Sequence, residues 1–421
     1  MNEKHKEKVF GRYFGRNELY FRPVFPDDTE VVVVIPVLDD EDIFRTVDSL
    51  KSCTREEGGV AAVVIVNHGE QVPDAVKEAN CRLAEELREY VAGGQRGGLF
   101  FQVVEAFDLP ARTAGVGLAR KLAMDAAAWW FYEHDKADGV ILSLDADTWV
   151  EMNYTDAVRR YFRENPVAGV SIAYRHRLEE CEGAVREAMA KYELYLRYYQ
   201  GALAYSGHPH AYPCIGSAFA VRARDYVAEG GMNKRQAGED FYFLQKLIST
   251  GRYAFLRTTT VYPSARFSAR TPFGTGQSLR QIVAQGGSYP VYHWEAFRDL
   301  KCFFDGVGCL YKVENSDVES FLTKQSPGVR DYWQHMDGCA MLAEVNANCA
   351  SVGQFRKRFF DGFNAFRVLK YLNYVHDLFY PKIEITEAVD RWLAEMGMAV
   401  PGSAEEKLVF LRNFQYFCPE E

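Results

Sequence analysis

The first 150 residues alternate between short apolar runs and longer segments with one apolar face. Residues 31–37 form a continuous run rich in β-branched side chains, which is typical of a strand buried on both faces of a parallel sheet. Similar runs follow at 60–66, 99–104 and 139–144. Segments with helical periodicity lie between them, at 39–53, 73–92 and 117–132. This order predicts βαβ units and a doubly wound α/β sheet.

The alternation of strand-like and helical segments becomes less regular after residue 154. Strand-like runs at 167–174, 215–221 and 252–261 alternate with helical segments at 184–205 and 239–250. A Gly-, Pro- and Ser-rich stretch, 262–290, predicts long loops, and the rest of the chain is helical and aromatic. We therefore predict three segments: a lead-in over 1–28, an α/β domain over 29–290 and a helical C-terminal region over 291–421.

Composition narrows the class of protein. The net charge of -9 argues against a nucleic-acid-binding surface, because phosphate backbones require basic side chains. The nine cysteines contain no CxxC pair, which indicates free or buried thiols in a reducing compartment. The N-terminus is charged, and no apolar run approaches bilayer length. We expect a cytoplasmic protein, with peripheral membrane contact left open by the basic, aromatic segment 355–360, for which an amphipathic helix is the alternative.

The strongest candidate for chemistry is a pair of carboxylates after the fourth predicted strand. Asp145 and Asp147 are spaced i, i+2, so their side chains would project to the same side of an extended backbone. Open α/β sheets bind ligands at the carboxyl ends of their strands. Mg²⁺ takes one or two carboxylates and completes its shell with substrate phosphates. The alternative is a strand-end turn in which both aspartates cap the next helix.

A second acidic pair, Glu239-Asp240, opens a predicted helix, where acidic residues are also ordinary caps. The order of a first strand containing Pro36, the Asp145/Asp147 DxD motif and this Glu-Asp pair resembles family 2 glycosyltransferases over residues 31–272. The resemblance implies the GT-A (nucleotide-diphospho-sugar transferase) fold. In that fold helices flank a mostly parallel central sheet, to which this chain would add its helical C-terminal region.

The resemblance also implies an activity and roles for its residues. A sugar would move from a nucleotide-diphosphate donor to an acceptor hydroxyl, with Mn²⁺ or Mg²⁺ bound by Asp145 and Asp147. Asp145 would also contact the donor, Asp240 would be the general base if the enzyme inverts the configuration of the sugar, and Glu239 would hold the acceptor. A positioned base contributes about 10²–10⁴-fold to such a step. The nucleotide pocket would be lined by three residues at the end of the first strand, Pro36, Val37 and Asp39.

Arginines and glycines after the Glu-Asp pair predict a phosphate-binding loop. Arg266 and Arg270 could bind a diphosphate bidentately, while Gly274 and Gly276 let backbone N–H groups approach an anion. This pattern is compatible with a flexible lid over the donor diphosphate. A solvated surface loop is the alternative.

Two further positions are donor-binding candidates. Arg120 follows a Gly-rich turn that resembles the family pattern, which implies a diphosphate or base contact; the alternative is a surface residue at a helix start. Asn67 stands where many family members carry an Asp that reads the nucleobase, so the donor base stays open. No histidine follows the Glu-Asp pair at a convincing position, which leaves a third metal ligand unidentified.

Two other classes of protein compete with this hypothesis. A sugar-phosphate nucleotidyltransferase would need a basic, Gly-rich loop after the first strand, whereas residues 39–42 are acidic and would repel a triphosphate. A non-catalytic GT-A-like subunit that binds nucleotide sugars is the second alternative. Both carboxylate pairs argue against it, and Asn67 and the missing histidine keep it open.

Overall fold

The computed structural model describes residues 3–55, 58–92, 98–235, 238–267 and 274–414, and the chain divides into two compact units. Unit 1 comprises Met1–Arg177 and Cys214–Gly274, and unit 2 comprises Leu178–Pro213 and Thr275–Glu421. These boundaries differ from the predicted 29–290 and 291–421. Residues 178–213 group with the C-terminal part because their long helix packs against helices of unit 2.

The described residues form ten strands and seventeen α-helices. The strands are β1 Thr29–Val37, β2 Gly59–Gly69, β3 Leu99–Leu109, β4 Val140–Ser143, β5 Thr148–Val150, β6 Gly169–Tyr174, β7 Phe219–Arg222, β8 Tyr253–Pro263, β9 Pro290–Val291 and β10 Ile383–Glu384. The helices are α1 Glu3–Phe14, α2 Ile43–Lys51, α3 Asp74–Ala92, α4 Val116–Glu133, α5 Tyr154–Glu164, α6 Gly183–Tyr205, α7 Ala223–Ala228, α8 Glu239–Ser249, α9 Thr275–Ala284, α10 Trp294–Gly306, α11 Asn315–Thr323, α12 Pro327–His335, α13 Gly338–Ala347, α14 Val352–Gly362, α15 Ala365–Leu378, α16 Ile385–Glu395 and α17 Ala404–Asn413.

Unit 1 contains an eight-stranded mixed sheet in the order β3-β2-β1-β4-β7-β6-β8-β5. Strands β3, β2, β1 and β4 pair in parallel, as do β6 and β8, while β7 and β5 pair antiparallel with their neighbours. Residues 31–35 of β1 are fully buried, as the β-branched run predicted. The predicted architecture, a mostly parallel sheet flanked by helices with a helical C-terminal part, is confirmed.

Several elements were not predicted, among them β5, α5 and α9. Strand β5 has only three residues, and α5 follows it where the apolar pattern had loosened. The prediction of long loops over 262–290 is wrong for the second half of that stretch, because α9 occupies part of it. Leu279 and Ile282 are fully buried on α9, and their i, i+3 spacing is a helical signal that the surrounding glycines and serines obscured.

Unit 2 is mainly helical, with a two-stranded ladder of β9 and β10. Glu193, on α6, is fully buried and paired with Arg197 at 2.7 Å and with Arg412 at 2.6 Å. The aromatic side chains of the basic segment 355–360 are buried in α14, which favours the amphipathic-helix interpretation. Among the described residues, no helix is both long and apolar enough to cross a bilayer.

Candidate active site

The DxD motif lies in a tight turn between β4 and β5. The Thr148 N–H donates to the Asp145 carbonyl at 3.1 Å, and the Thr46 hydroxyl donates to the Ala146 carbonyl at 2.7 Å. The Ser264 N–H donates to the Asp147 carbonyl at 3.0 Å, continuing the β5–β8 ladder. The alternative that the aspartates cap a helix is wrong, because a strand follows them.

Arg120 joins the DxD motif to the Glu-Asp pair. Its Nη2 donates to Asp145 Oδ1 at 2.5 Å and its Nη1 donates to Glu239 Oε1. The Arg120 side chain is 2% exposed, Glu239 is 4% exposed and Asp145 is 37% exposed. The interpretation of Arg120 as a surface residue is therefore wrong, and its guanidinium holds one carboxylate of each acidic pair.

Two glycines bring Arg120 to this position. Gly115, the N-cap of α4, has φ 147°, a backbone conformation that residues other than glycine rarely adopt. A Cβ on Gly117 would lie 2.2 Å from the Arg235 carbonyl oxygen and 2.9 Å from Glu239 Cγ. The Gly-rich turn therefore allows the start of α4 to approach the residues that precede and open α8.

Asp240 lies near the same guanidinium. A Cβ on Gly216 would be 3.0 Å from Asp240 Oδ2 and 3.2 Å from Arg120 Nη2, so these two groups flank Gly216. Asp240 Oδ1 accepts a hydrogen bond from the Phe241 N–H at 2.7 Å. Burial raises the pKa of Asp240 and of Glu239, while the Arg120 charge opposes the rise.

A second guanidinium binds the other half of the DxD motif. Arg266 Nη2 contacts Asp40 Oδ2 and lies 3.3 Å from Asp147 Oδ2, and Nη1 lies 3.0 Å from Asp42 Oδ2. Arg266 is 36% exposed, whereas Asp40 is 5% exposed. Burial, followed by the charges of Asp145 and Asp40, raises the pKa of Asp147 to about 7 against the opposing charge of Arg266.

The donor set around Asp147 fits a hard divalent cation. Its oxygens are carboxylates, the ligand type that Mg²⁺ and Mn²⁺ prefer. A cation bound there would favour the ionised form of Asp147, which burial disfavours. Within the described ranges, no group of three His, Cys, Asp or Glu side chains is arranged to hold a metal ion. Asp145 and Asp147 would therefore need a substrate to complete the shell.

The residues predicted to line the nucleotide pocket form a hydrogen-bonded network at the ends of β1 and β2. Pro36 and Val37 are buried, and the Val37 carbonyl accepts from Asn67 Nδ2 at 2.8 Å. Asn80 links the Asn67 carbonyl, at 3.2 Å, to the backbone N–H of Asp39, at 2.9 Å. Asn67 is 3% exposed. Base recognition by these residues stays a prediction.

The remaining predictions have mixed outcomes. Arg270 lies outside the described residues, and Gly276 lies in the first turn of α9 rather than in a loop. Asp40 and Asp42 were considered only as a repulsive acidic run, and their pairing with Arg266 was missed. Their position directly after a buried parallel strand is the signal that could have identified them.

No protein-family profile matches the chain, and no curated protein sequence matches it. Among solved structures, the chain is distantly similar to TarS 1–349 of S. aureus in complex with UDP-GlcNAc. The identity is 12% and the TM-score 0.39, with 79% of this chain and 92% of that chain covered. It is also similar to the mannosyltransferase PcManGT of Pyrobaculum calidifontis in complex with GDP-Man and Mn²⁺. That identity is 13% and the TM-score 0.35, with 97% and 92% covered.

Proposed function

We propose that this chain is a glycosyltransferase that uses Mn²⁺ or Mg²⁺ to transfer a sugar from a nucleotide-diphosphate donor to an acceptor hydroxyl. One observation carries the proposal. The buried guanidinium of Arg120 contacts both Asp145 of the DxD motif and Glu239 of the Glu-Asp pair. Two acidic pairs that lie far apart in sequence therefore meet at the carboxyl end of β4, where α/β sheets bind ligands.

On the donor side, Asp145 and Asp147 would hold the metal ion. When bound, the ion supplies positive charge that stabilises the departing nucleoside diphosphate. Arg266 lies beside Asp147 and is exposed enough to bind phosphate oxygens through its planar guanidinium. Arg120 is too buried for that role and instead fixes the orientation of the Asp145 carboxylate.

On the acceptor side, Asp240 would accept the proton of the attacking hydroxyl. Its raised pKa makes it a stronger base than an ordinary aspartate, and a base is most effective when its pKa approaches the working pH. Glu239 is 4% exposed and bound to Arg120. We therefore assign it a positioning role through Arg120, in place of direct contact with the acceptor.

The test compares Asp147→Asn with a matched control, Asp138→Asn. Asp138 is 62% exposed and pairs with Arg224, so its substitution removes a carboxylate outside the site. Wild type should be stabilised thermally by nucleoside diphosphate and Mn²⁺ together. In a screen of UDP-, GDP-, ADP- and dTDP-sugars it should release nucleoside diphosphate. Asp147→Asn should lower that turnover by about 10²-fold or more, as loss of an electrostatic contact to the transition state does, and Asp138→Asn should not.

The competing classes give different outcomes. Stabilisation by a nucleoside triphosphate, with pyrophosphate released in the presence of a sugar phosphate, would favour the nucleotidyltransferase. Metal-dependent binding of nucleotide sugars without turnover would favour the non-catalytic subunit. Unchanged turnover in Asp147→Asn would contradict a role for Asp147 in metal binding.

A further inference from the structure

Arg266 binds three carboxylates from two separate turns. Asp40 and Asp42 come from the turn after β1, and Asp147 comes from the DxD turn. We call Asp40, Asp42 and Asp147 the acidic cluster. Within the part of the chain that the structure describes, Arg266 thus faces three carboxylates at once.

Burial explains why the acidic cluster recruits a cation from the protein. Asp40 is 5% exposed, and a buried carboxylate is costly unless it is paired. Arg266 is held close by the backbone, since the Ser264 N–H two residues earlier donates to the Asp147 carbonyl. Its side chain is still 36% exposed. The guanidinium can therefore change partners by rotating its side chain, without a change in the fold around it.

We propose that Arg266 is a resident counter-cation that competes with the divalent ion for Asp147 and moves to the donor diphosphate when the ion binds. This inference rests on the proposed function. A divalent ion carries twice the charge of a guanidinium and prefers hard carboxylate oxygens, so it displaces Arg266 from Asp147. The guanidinium then lies beside the phosphates that the ion attracts, where it can bind bidentately.

The proposal predicts that metal and nucleotide bind cooperatively, with Arg266 as a source of the coupling. Arg266 opposes binding of the metal alone, because it occupies the carboxylates. It favours binding of metal and nucleotide together, because the displaced guanidinium gains phosphate partners. Coupling between two ligands is reciprocal, so each should raise the affinity for the other by the same factor. Removal of Arg266 should therefore raise the affinity for the metal alone and lower the affinity for nucleotide in the presence of the metal.

The experiment measures Mn²⁺ binding from the EPR signal of the free ion, without nucleotide and with UDP or GDP. Wild type is compared with Arg266→Gln and with a control, Arg163→Gln. Arg163 is 48% exposed and pairs with Glu30, so the control removes one exposed positive charge of unit 1 away from the acidic cluster. Thermal unfolding in metal-free buffer verifies that each variant is folded.

Arg266→Gln should bind Mn²⁺ alone about 3–10-fold more tightly than wild type, a change expected from the loss of an exposed competing charge. Its affinity for nucleotide in the presence of Mn²⁺ should be about tenfold weaker, because a charge-assisted bidentate contact is lost. Arg163→Gln should change neither affinity by more than about twofold, since it alters only distant, screened charge.

Three results would overturn the proposal, and they can be distinguished. If wild type binds Mn²⁺ with nucleotide but Arg266→Gln does not tighten binding of Mn²⁺ alone, the competition by Arg266 is wrong and the proposed function stands. If wild type binds Mn²⁺ neither alone nor with any nucleoside diphosphate, metal dependence fails and the competition fails with it. A change in the same direction for both affinities indicates a structural role and also contradicts the proposal.

Discussion

The two arginines of the site bind neighbouring carboxylates but differ in their surroundings. Arg120 pairs with Asp145 and is 2% exposed, whereas Arg266 pairs with Asp147 and is 36% exposed. The partners of Arg120 come from the DxD turn and from α8. Arg266 takes its partners from the DxD turn and from the turn after β1. One motif of three residues therefore supplies one carboxylate to a buried arginine and the other to a part-exposed arginine.

Because of this difference, the two aspartates of the motif are held in place with different strength. Breaking a buried ion pair leaves an uncompensated charge and costs about 3–5 kcal/mol, whereas an exposed pair contributes about 0–1 kcal/mol. Asp145 is thus fixed by the protein itself. Asp147, whose pKa is raised mainly by burial, pairs with the arginine that is 36% exposed. The comparison teaches that the fold buries the arginine beside one aspartate and leaves the arginine beside the other accessible.

The largest expected effect concerns the base beside Arg120. Asp240→Asn should lower turnover about 10²–10⁴-fold, because the amide cannot accept the acceptor proton. In wild type, activity should fall as pH decreases through the raised pKa of Asp240, since the protonated carboxyl is no longer a base. The pH profile of kcat at saturating metal measures the lower turnover of the variant and the decrease of wild-type activity at low pH, the acid limb of the profile. Glu239→Gln should retain this acid limb. An unchanged acid limb in Asp240→Asn would exclude Asp240 as the titrating group.

The next effect tests the buried ion pair. Arg120→Met should lower the free energy of unfolding by about 3–5 kcal/mol, because Glu239 loses its counter-charge in a buried position. The pKa of Glu239 is already raised by burial and should rise further. A carboxyl with a raised folded-state pKa binds its proton more tightly in the folded state, so the deficit should shrink as pH falls. Urea unfolding at pH 8 and pH 5 measures this.

A double variant separates the pair from the packing around it. Arg120→Met with Glu239→Gln should recover part of the lost stability, because no unpaired charge remains at position 239. The comparison between the two arginines fails if Arg120→Met unfolds no more easily than Arg266→Gln. It also fails if the double variant is less stable than either single variant.

Much of the fold could be predicted from the sequence, because parallel strands that are buried on both faces produce clear apolar runs. The run at 31–37 matches β1, and the acidic pairs were correctly associated with β4 and α8. Short antiparallel elements carry a weaker signal. Strand β5 has three residues and owes its place to pairing with β8, a long-range contact that no local pattern reveals.

The site was predictable in residue type but not in pairing. Arg120 was assigned to the donor or to the surface, although α4 offered a clue: it is apolar nearly all round, as buried helices are. A charged residue inside such a helix requires a buried partner. The acidic run after β1 was likewise visible, but its contact with Arg266 joins residues more than two hundred positions apart. Such contacts depend on tertiary structure alone.

The smallest expected effect concerns the stability contributed by Arg266. Arg266→Gln should lower the free energy of unfolding by no more than about 2 kcal/mol, because Asp42 and Asp147 are part-exposed and screened by salt, and only Asp40 is a buried partner. The change should be smaller at 500 mM than at 50 mM NaCl, whereas the larger deficit of Arg120→Met should vary little with salt. Urea unfolding at both salt concentrations measures the contrast. Arg266→Lys should be close to wild type in stability, because it keeps the charge and loses only the planar fork. A loss of more than about 2 kcal/mol in the free energy of unfolding of Arg266→Gln would mean that both aspartates of the DxD motif belong to ion pairs as costly to break as buried ones.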